Sequence, residues 1–510
     1  MNAEVEFVQP EQRPAETGEF RKALGLFDSV MIVSGIMVGS GIFIVSAEIS
    51  RQVGSAGWLL VAWIIAGVLT VAAALSYGEL AAMMPQAGGM YVYLREAFSP
   101  LIGFLYGWTL LTVIQTGTIA AVAIAFARFT GVVIPRINES NYLVAPINIV
   151  QGYAISLSTA QALALIIIVL IAVLNCYGVR WGKLIQNVFT VAKLLGMVLL
   201  LGLGAYAYFR LPAVFHANFA HAWTPHATVQ IGHTSVMTWF GMLVALCVSQ
   251  TGSLFSADSW HDVTFVAGEV RRPERNLPLA LALGTSLVIV LYLLCNLCYL
   301  AVLPVHGIQT APSDRVATLV VSTVLPGLGK IAMALLIMVS TFGTVNGITL
   351  AGGRACYAIA QDGLFFRRAG RLNKEGVPSS ALLMQCAWAL LLVLPRTHDA
   401  ATGTYGNLYS NLLDYVISAA LIFYILTVSA IFRLRHTRPN AVRPYRCWGY
   451  PWLPALYIVG ATIVVVVLFC YRASTTWPGL LIVLSGVPVY WFLRGRGGKQ
   501  AGSASLAVSS

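Results

Sequence analysis

The chain has 510 residues, 58% of them hydrophobic and 10% charged, with a mean hydropathy of +0.79, whereas a soluble domain carries about 25% charged residues. That balance describes an integral membrane protein and leaves no stretch for a large soluble domain. The formal charge is +12, from 31 Lys and Arg against 19 Asp and Glu, a surplus that in a membrane protein is tested first against the bias of cationic residues toward cytoplasmic loops.

Residues 1–25 are polar and acidic, with neither a basic start nor a short apolar core, so no cleavable signal is expected and the segment stays cytoplasmic. A helix crossing the hydrocarbon takes about 20 apolar residues. Candidate spans follow at 26–48, 57–83, 101–132, 159–179, 183–208, 236–270, 278–302, 329–361, 379–396, 407–434, 452–471 and 476–493, here called spans 1 to 12. This even count puts both termini on one side. On that topology 21 Lys and Arg fall on the side of the N-terminus, eight fall opposite, and Lys193 and Arg354 lie within spans. The bias orients the protein with both termini in the cytoplasm, in the plasma (inner) membrane. The Gly- and Ser-rich end, 494–510, reads as a disordered cytoplasmic tail.

Two spans are interrupted. Span 1 carries Gly39-Ser40-Gly41 in its middle, and span 6 runs through Ser249-Gln250-Thr251-Gly252-Ser253 to Ser256-Ala257-Asp258-Ser259-Trp260-His261. They open two successive sets of five spans, 26–209 and 236–434, with 452–493 left over, and matched interruptions in two halves point to a transporter built from inverted repeats. Close helix packing explains Gly35 and Gly39 equally well taken alone; it does not explain a paired interruption that carries an intramembrane carboxylate. Where a helix unwinds, its backbone groups need another partner. A half-helix starting after Gly41 offers N–H groups and a positive dipole end to a carboxylate, while carbonyls ahead of each break suit an ammonium group. An amino acid has both. Gly39 and Gly41 let the backbone approach such a ligand, and Ser40 adds a hydroxyl.

Several stretches together resemble one family: GSGIF at 39–43, YGEL at 77–80 followed by PQAGGMYVYLREAFSP at 85–100, QNVFTVAKLL at 186–195, LFSADSW at 254–260 and FGTVNG at 342–347. In this order they are similar to the amino acid-polyamine-organocation (APC) superfamily, and within it to bacterial relatives of the L-type amino acid transporters, over about 24–494. The resemblance implies an all-α, LeuT-like fold of twelve transmembrane helices, a 5+5 inverted repeat with spans 1 and 6 broken and spans 11 and 12 peripheral. It implies a substrate carboxylate at Ser40 and Gly41, an amino group on carbonyls around Met37, Phe255, Ser256 and Asp258, and Phe255 as the aromatic that closes over the substrate. The stretch departs from the family's common FAYGGWN: here it reads FSADSWH, with Ala257, Asp258 and His261 in place of an aromatic, a glycine and an amide.

An intramembrane lysine costs several kcal/mol unless paired or neutralised. Lys193 sits within span 5, and the resemblance implies that its ammonium stands where sodium-coupled relatives bind an ion between spans 1 and 8, with the hydroxyls of Ser340 and Thr341 as expected partners. No sodium requirement is expected. Asp258 has three open readings, as a contact for a substrate cation, as a proton carrier or as the cap of the following half-helix. Asp262 is expected to face a cavity. Glu79, Glu269 and Arg354 are expected to form ion pairs near the inner gate, and Asn407, Ser410 and Asn411 to satisfy Asp414.

Histidines 216, 221, 226 and 233 share one loop but lack metal-ligand spacing, so no metal and no cofactor is expected. The eight cysteines read as structural thiols, Cys295-x-x-Cys298 included. L-type relatives join a glycoprotein through a disulfide from the loop between spans 3 and 4; the loop at 133–158 has no cysteine, so no disulfide-linked heavy subunit is expected. The expected partners are an amino acid substrate and the lipid bilayer, not nucleic acid. The function expected is sodium-independent amino acid transport, by exchange or with protons, and not enzymatic catalysis: no HExxH, GxSxG or nucleotide-binding loop is present. The alternatives are transport of polyamines or cationic amino acids through Asp258 and, in a different class, an amino acid sensor or a channel.

Overall fold

The computed structural model describes residues 22–150, 152–177, 179–210, 212–225, 230–231, 234–399, 404–405 and 408–508. In chain order the helices are α1 Leu26–Met37, α2 Gly41–Val53, α3 Ala56–Met83, α4 Met90–Ala97, α5 Pro100–Thr109, α6 Gln115–Val133, α7 Thr159–Cys176, α8 Val179–Arg210, α9 Pro212–Ala220 and α10 Trp239–Ser256. They continue with α11 Pro273–Val302, α12 Val305–Gln309, α13 Val316–Val324, α14 Leu328–Gln361, α15 Ser379–Leu392, α16 Leu408–Thr437, α17 Trp452–Tyr471 and α18 Ala473–Val508. A π-turn at Leu110–Ile114 joins α5 to α6 into one long helix.

Among the described residues ten helices are long and apolar enough to cross a membrane, and α1 with α2, bent by 43° at Val38–Ser40, makes an eleventh. Span 9 is shorter than its sequence suggests. The helix stops at Leu392 instead of 396, giving 14 residues, because Pro395 opens a strand. Apolar side chains lie exposed along these helices, among them Leu195, Leu199, Leu283, Val290, Leu294, Val459 and Val466, the pattern of a surface whose solvent is lipid.

Small residues set the packing where water gives no hydrophobic drive between helices. Gly284 of α11 receives Val33 of α1, Gly67 of α3 receives Ile289 of α11, and Gly204 of α8 receives Cys298, each so closely that a Cβ would collide. Caps mark several helix starts. Ser99 accepts from the Ile102 N–H ahead of Pro100, and Ser158 with Gln161 forms a reciprocal capping box at α7.

Span 6 is interrupted, as the sequence reading expected, but α10 runs unbroken to Ser256 and no α half-helix follows within 236–270: Ala257–Ser259 is irregular, and single 3₁₀ turns follow at Trp260–Thr264 and Ala267–Glu269. Ser259 has φ +64°, which ends the α-helical path. The segment just before α1 closes this region off, with Leu24 bridged to Val270. The N–H groups of Ala23 and Leu24 donate to the Glu269 carbonyl at 2.9 Å, and the Arg271 N–H donates to the Leu24 carbonyl at 2.8 Å.

Strands appear where the sequence reading had only connections. β1 Tyr142–Val150, β2 Tyr153–Ser158, β5 Pro395–Asp399 and β6 Thr404–Tyr405 form an antiparallel sheet in that order at one end of the bundle, and β3 Gln230–Ile231 pairs β4 Thr234–Ser235.

Candidate functional site

The two breaks meet. Gly41, the first residue of α2, lies so close to Ser256, the last of α10, that an added Cβ would sit 2.8 Å from the Ser256 Cα. The close approach expected from Gly41 is therefore made by the other broken span. At Gly39 an added Cβ would come within 3.2 Å of the Thr344 methyl on α14.

Carbonyls left open by the breaks are gathered by Tyr292 of α11. Its hydroxyl lies 2.8 Å from the Met37 carbonyl and 2.9 Å from that of Ser256, and with one proton it serves one of them at a time. Tyr299, one face along the same helix, donates to the Ile42 carbonyl at 3.1 Å. Ser40 shares a 2.8 Å bond with the Tyr409 hydroxyl of α16, and Phe255 meets the Tyr409 ring edge-on at 6.0 Å. Met37, Ser40, Gly41, Phe255 and Ser256 thus come together, buried, around one junction. Asp258 stands beyond it, accepting a 2.6 Å bond from Tyr424 of α16. The turn after Asp258 starts at Ser259, with no side-chain cap. The tyrosines of α11 and α16 carry no sequence signal of this role, since a buried Tyr in an apolar helix reads as ordinary packing.

Lys193 reaches the first break from α8. Its Nζ donates to the carbonyls of Gly35 at 2.5 Å and Val38 at 2.9 Å and to Thr344 Oγ1 at 2.9 Å. Ser340 and Thr344 each donate to the same Val38 carbonyl at 3.1 Å. Of the two expected hydroxyls only Ser340 faces the break. Thr341 donates back into its own helix, to Ile337 at 2.9 Å and Met338 at 3.0 Å; it is turned about 100° from Ser340, whereas Thr344, four residues on, returns to the same face.

A second polar group lies past Asp258. His261 Nδ1 is 3.4 Å from the Tyr424 hydroxyl, His261 Nε2 is 3.5 Å from Asp262 Oδ1, and Gln115 of α6 donates to Asp262 Oδ2 at 3.3 Å and to the Ile348 carbonyl at 2.9 Å. Asp262 is fully buried. At the end expected to face the cytoplasm, Arg354 pairs with Glu269 at 2.5 Å, as the sequence reading anticipated. Glu79 does not join them. It takes a bidentate pair from Arg435 at 2.9 and 2.7 Å and the Cys447 N–H at 2.7 Å. Asp414 accepts from Thr475 at 3.2 Å; of its expected partners Asn411 turns to Thr397 instead, and Asn407 lies outside the described residues. His226 and His233 lie outside them as well; among the described residues no group of three His, Cys, Asp or Glu could hold a metal.

Broken helices meeting at a buried polar junction, with an intramembrane lysine on one break, agree with the match of residues 24–493 to the amino acid permease family. The chain belongs to that family, within the APC superfamily. Membership makes it a membrane transporter and not an enzyme. It is 29% identical to the b(0,+)-type amino acid transporter 1 of Rattus norvegicus over 485 residues, 94% of this chain and 89% of that protein. To the large neutral amino acids transporter small subunit 2 of Rattus norvegicus it is 29% identical over 476 residues, 92% and 80% of the two chains. The Asc-type amino acid transporter 1 of Homo sapiens is 27% identical over 484 residues, 94% and 83%.

Proposed function

We propose that this permease carries amino acids across the plasma membrane by alternating access, without sodium, on a LeuT-like scaffold of twelve spans with both termini cytoplasmic. The relatives' names supply the substrate class. The observation that carries the mechanism is the Lys193 ammonium held by two carbonyls and a hydroxyl at the first break. Such an oxygen cage suits a monovalent cation, and a tethered ammonium fills it permanently, so a free sodium ion has neither the space nor the charge balance to enter. The substrate carboxylate belongs at the α2 N-terminus, by Ser40 and Gly41, and its ammonium at the Met37, Phe255 and Ser256 carbonyls, displacing the Tyr292 hydroxyl from one of them.

A second reading concerns the side chain carried. The Asp258 carboxylate accepts a hydrogen bond from the neutral Tyr424 hydroxyl, and among the described residues no Lys or Arg pairs with it. A buried carboxylate so placed favours substrates with a cationic side chain. With no cysteine in 133–158, the chain works without a disulfide-linked subunit.

The test is counterflow in liposomes holding the purified protein. Labelled leucine and arginine exchange against internal unlabelled amino acid at the same rate in sodium and in choline media; a rate that vanishes without sodium refutes the reading.

A further inference from the structure

Asp258, His261 and Asp262 of the second break line up with Tyr424 of α16 in a chain of which the transport reading uses only Asp258. Asp258 Oδ1 is 2.6 Å from the Tyr424 hydroxyl, that hydroxyl is 3.4 Å from His261 Nδ1, and His261 Nε2 is 3.5 Å from Asp262 Oδ1. A phenol and an imidazole thus stand in line between two carboxylates. Asp258, Tyr424 and His261 are at least 95% buried and Asp262 wholly so.

The far end of the chain is open. Among the described residues His261 Nε2, Asp262 Oδ1 and the Tyr106 hydroxyl have no hydrogen-bond partner, and Tyr106 lies within electrostatic reach of both carboxylates. Unpaired polar atoms in a buried site call for a further ligand, because each has lost its water without gaining a partner. The surrounding groups bring no positive charge. Tyr77 of α3 and Tyr93 of α4, Tyr106 and Gln115 of the joined α5 and α6, Tyr424 of α16 and Tyr457 of α17 are all neutral neighbours. Helix α1 has Asp28 at its start, held by the Gly25 N–H; α11 contributes Tyr292, engaged with the two carbonyls; α14 contributes Cys356 and Arg354, the latter committed to Glu269. Lys193 is committed to the first break. Two ionised carboxylates facing one another across such a site repel strongly, and a small cation that relieves this repulsion while pairing with Asp262 and His261 is a proton.

We propose that Asp258, Tyr424, His261 and Asp262 are a proton relay, and that amino acid transport is coupled to movement of one proton through it. The transfer balances at every atom. The Asp262 O–H bond breaks as an N–H bond forms at His261 Nε2; the Nδ1 proton passes to the Tyr424 oxygen; the Tyr424 proton passes to Asp258 Oδ1. A proton has then moved from Asp262 to Asp258 with the histidine tautomer exchanged; once Asp258 has released it, a turn of the Tyr424 hydroxyl and a flip of the imidazole ring reset the chain for the next proton taken up at Asp262. Water on one side of the membrane supplies the proton and water on the other accepts it. Separations of 3.4–3.5 Å close on a small rotation of the imidazole, and relay bonds commonly tighten only in the working complex.

This rests on the transport reading, and one preparation tests both. Liposomes carrying the purified protein and a pH-sensitive dye in the lumen are given leucine or arginine outside, and counterflow is measured in parallel. For one proton per amino acid, wild-type uptake acidifies the lumen, and an outside-acid gradient of about one pH unit raises accumulation up to about tenfold. Asp262→Asn removes both effects while counterflow of label persists; Asp262→Glu restores them; Tyr424→Phe, which cuts the chain without touching either carboxylate's charge, also removes them. Counterflow without luminal acidification in the wild type overturns the relay and leaves the transport reading standing, as does an Asp262→Asn protein that still responds to the gradient. Absence of counterflow for both amino acids overturns the two together.

Discussion

The breaks in spans 1 and 6 meet at one junction, yet their polar groups are handled in opposite ways. At Val38–Ser40 the open carbonyls are met by fixed groups: Lys193 holds Gly35 and Val38, and Ser340 and Thr344 add two more bonds to Val38. Helical structure resumes immediately as α2. At Ala257–Ser259 the chain does not resume an α-helix; it proceeds in 3₁₀ turns, carries acidic and imidazole groups, and among the described residues leaves two of their atoms, His261 Nε2 and Asp262 Oδ1, unpaired. A satisfied break is rigid because moving it costs bonds, whereas an unsatisfied one gains partners when it moves or binds. The first break is thus the anchor of the junction, and the second is the part free to change.

The largest effect expected from this contrast comes from Lys193→Ala. It strips the Gly35 carbonyl of its side-chain donor and the Val38 carbonyl of one of three, at about 1–3 kcal/mol per buried group left unpaired. Leucine and arginine counterflow falls by at least about 100-fold and the detergent-solubilised protein melts at lower temperature; equal counterflow in mutant and wild type removes Lys193 from the mechanism. Next is Gly41→Ala, whose Cβ collides with Ser256. Transport drops by about 100-fold from a clash worth a few kcal/mol, and Ser256→Gly in the same protein recovers part of it. No recovery in the double variant would mean that the two breaks do not share this contact. Tyr292→Phe is milder, about tenfold in apparent affinity, since the Met37 and Ser256 carbonyls lose one shared donor. The smallest effects separate the two threonines: Thr344→Val slows counterflow by about fivefold, while Thr341→Val stays within about twofold because its hydroxyl bonds only its own helix. The reverse order would place the Lys193 contact on the other face of α14.

The first break was legible because Gly39-Ser40-Gly41 is a short polar gap in an apolar run, and Lys193 because a charge within a span has no bland explanation short of snorkelling. Their pairing was legible only coarsely. Choosing Thr344 over Thr341 depends on the rotational phase of α14, which an apolar run does not define to within one residue. Glu79 was recognised as a paired carboxylate, but its partner Arg435 lies 356 residues away in sequence, a distance over which local pattern carries no information. Tyr292, Tyr409 and Tyr424 left no trace, because their hydroxyls matter only through backbone geometry created by the breaks. The β1–β2 hairpin and the early end of α15 were missed because apolar strands outside the spans resemble helix flanks.

One further feature ties the movable break to the rest of the chain. Ala23, Leu24 and Arg271 stitch the segment ahead of α1 to the end of the span 6 turns through three backbone hydrogen bonds. The segment at Ala23–Leu24 and the end of the span 6 turns are therefore one mechanical piece, so a deletion that removes Ala23 and Leu24 is expected to loosen the second break without touching any group at the junction.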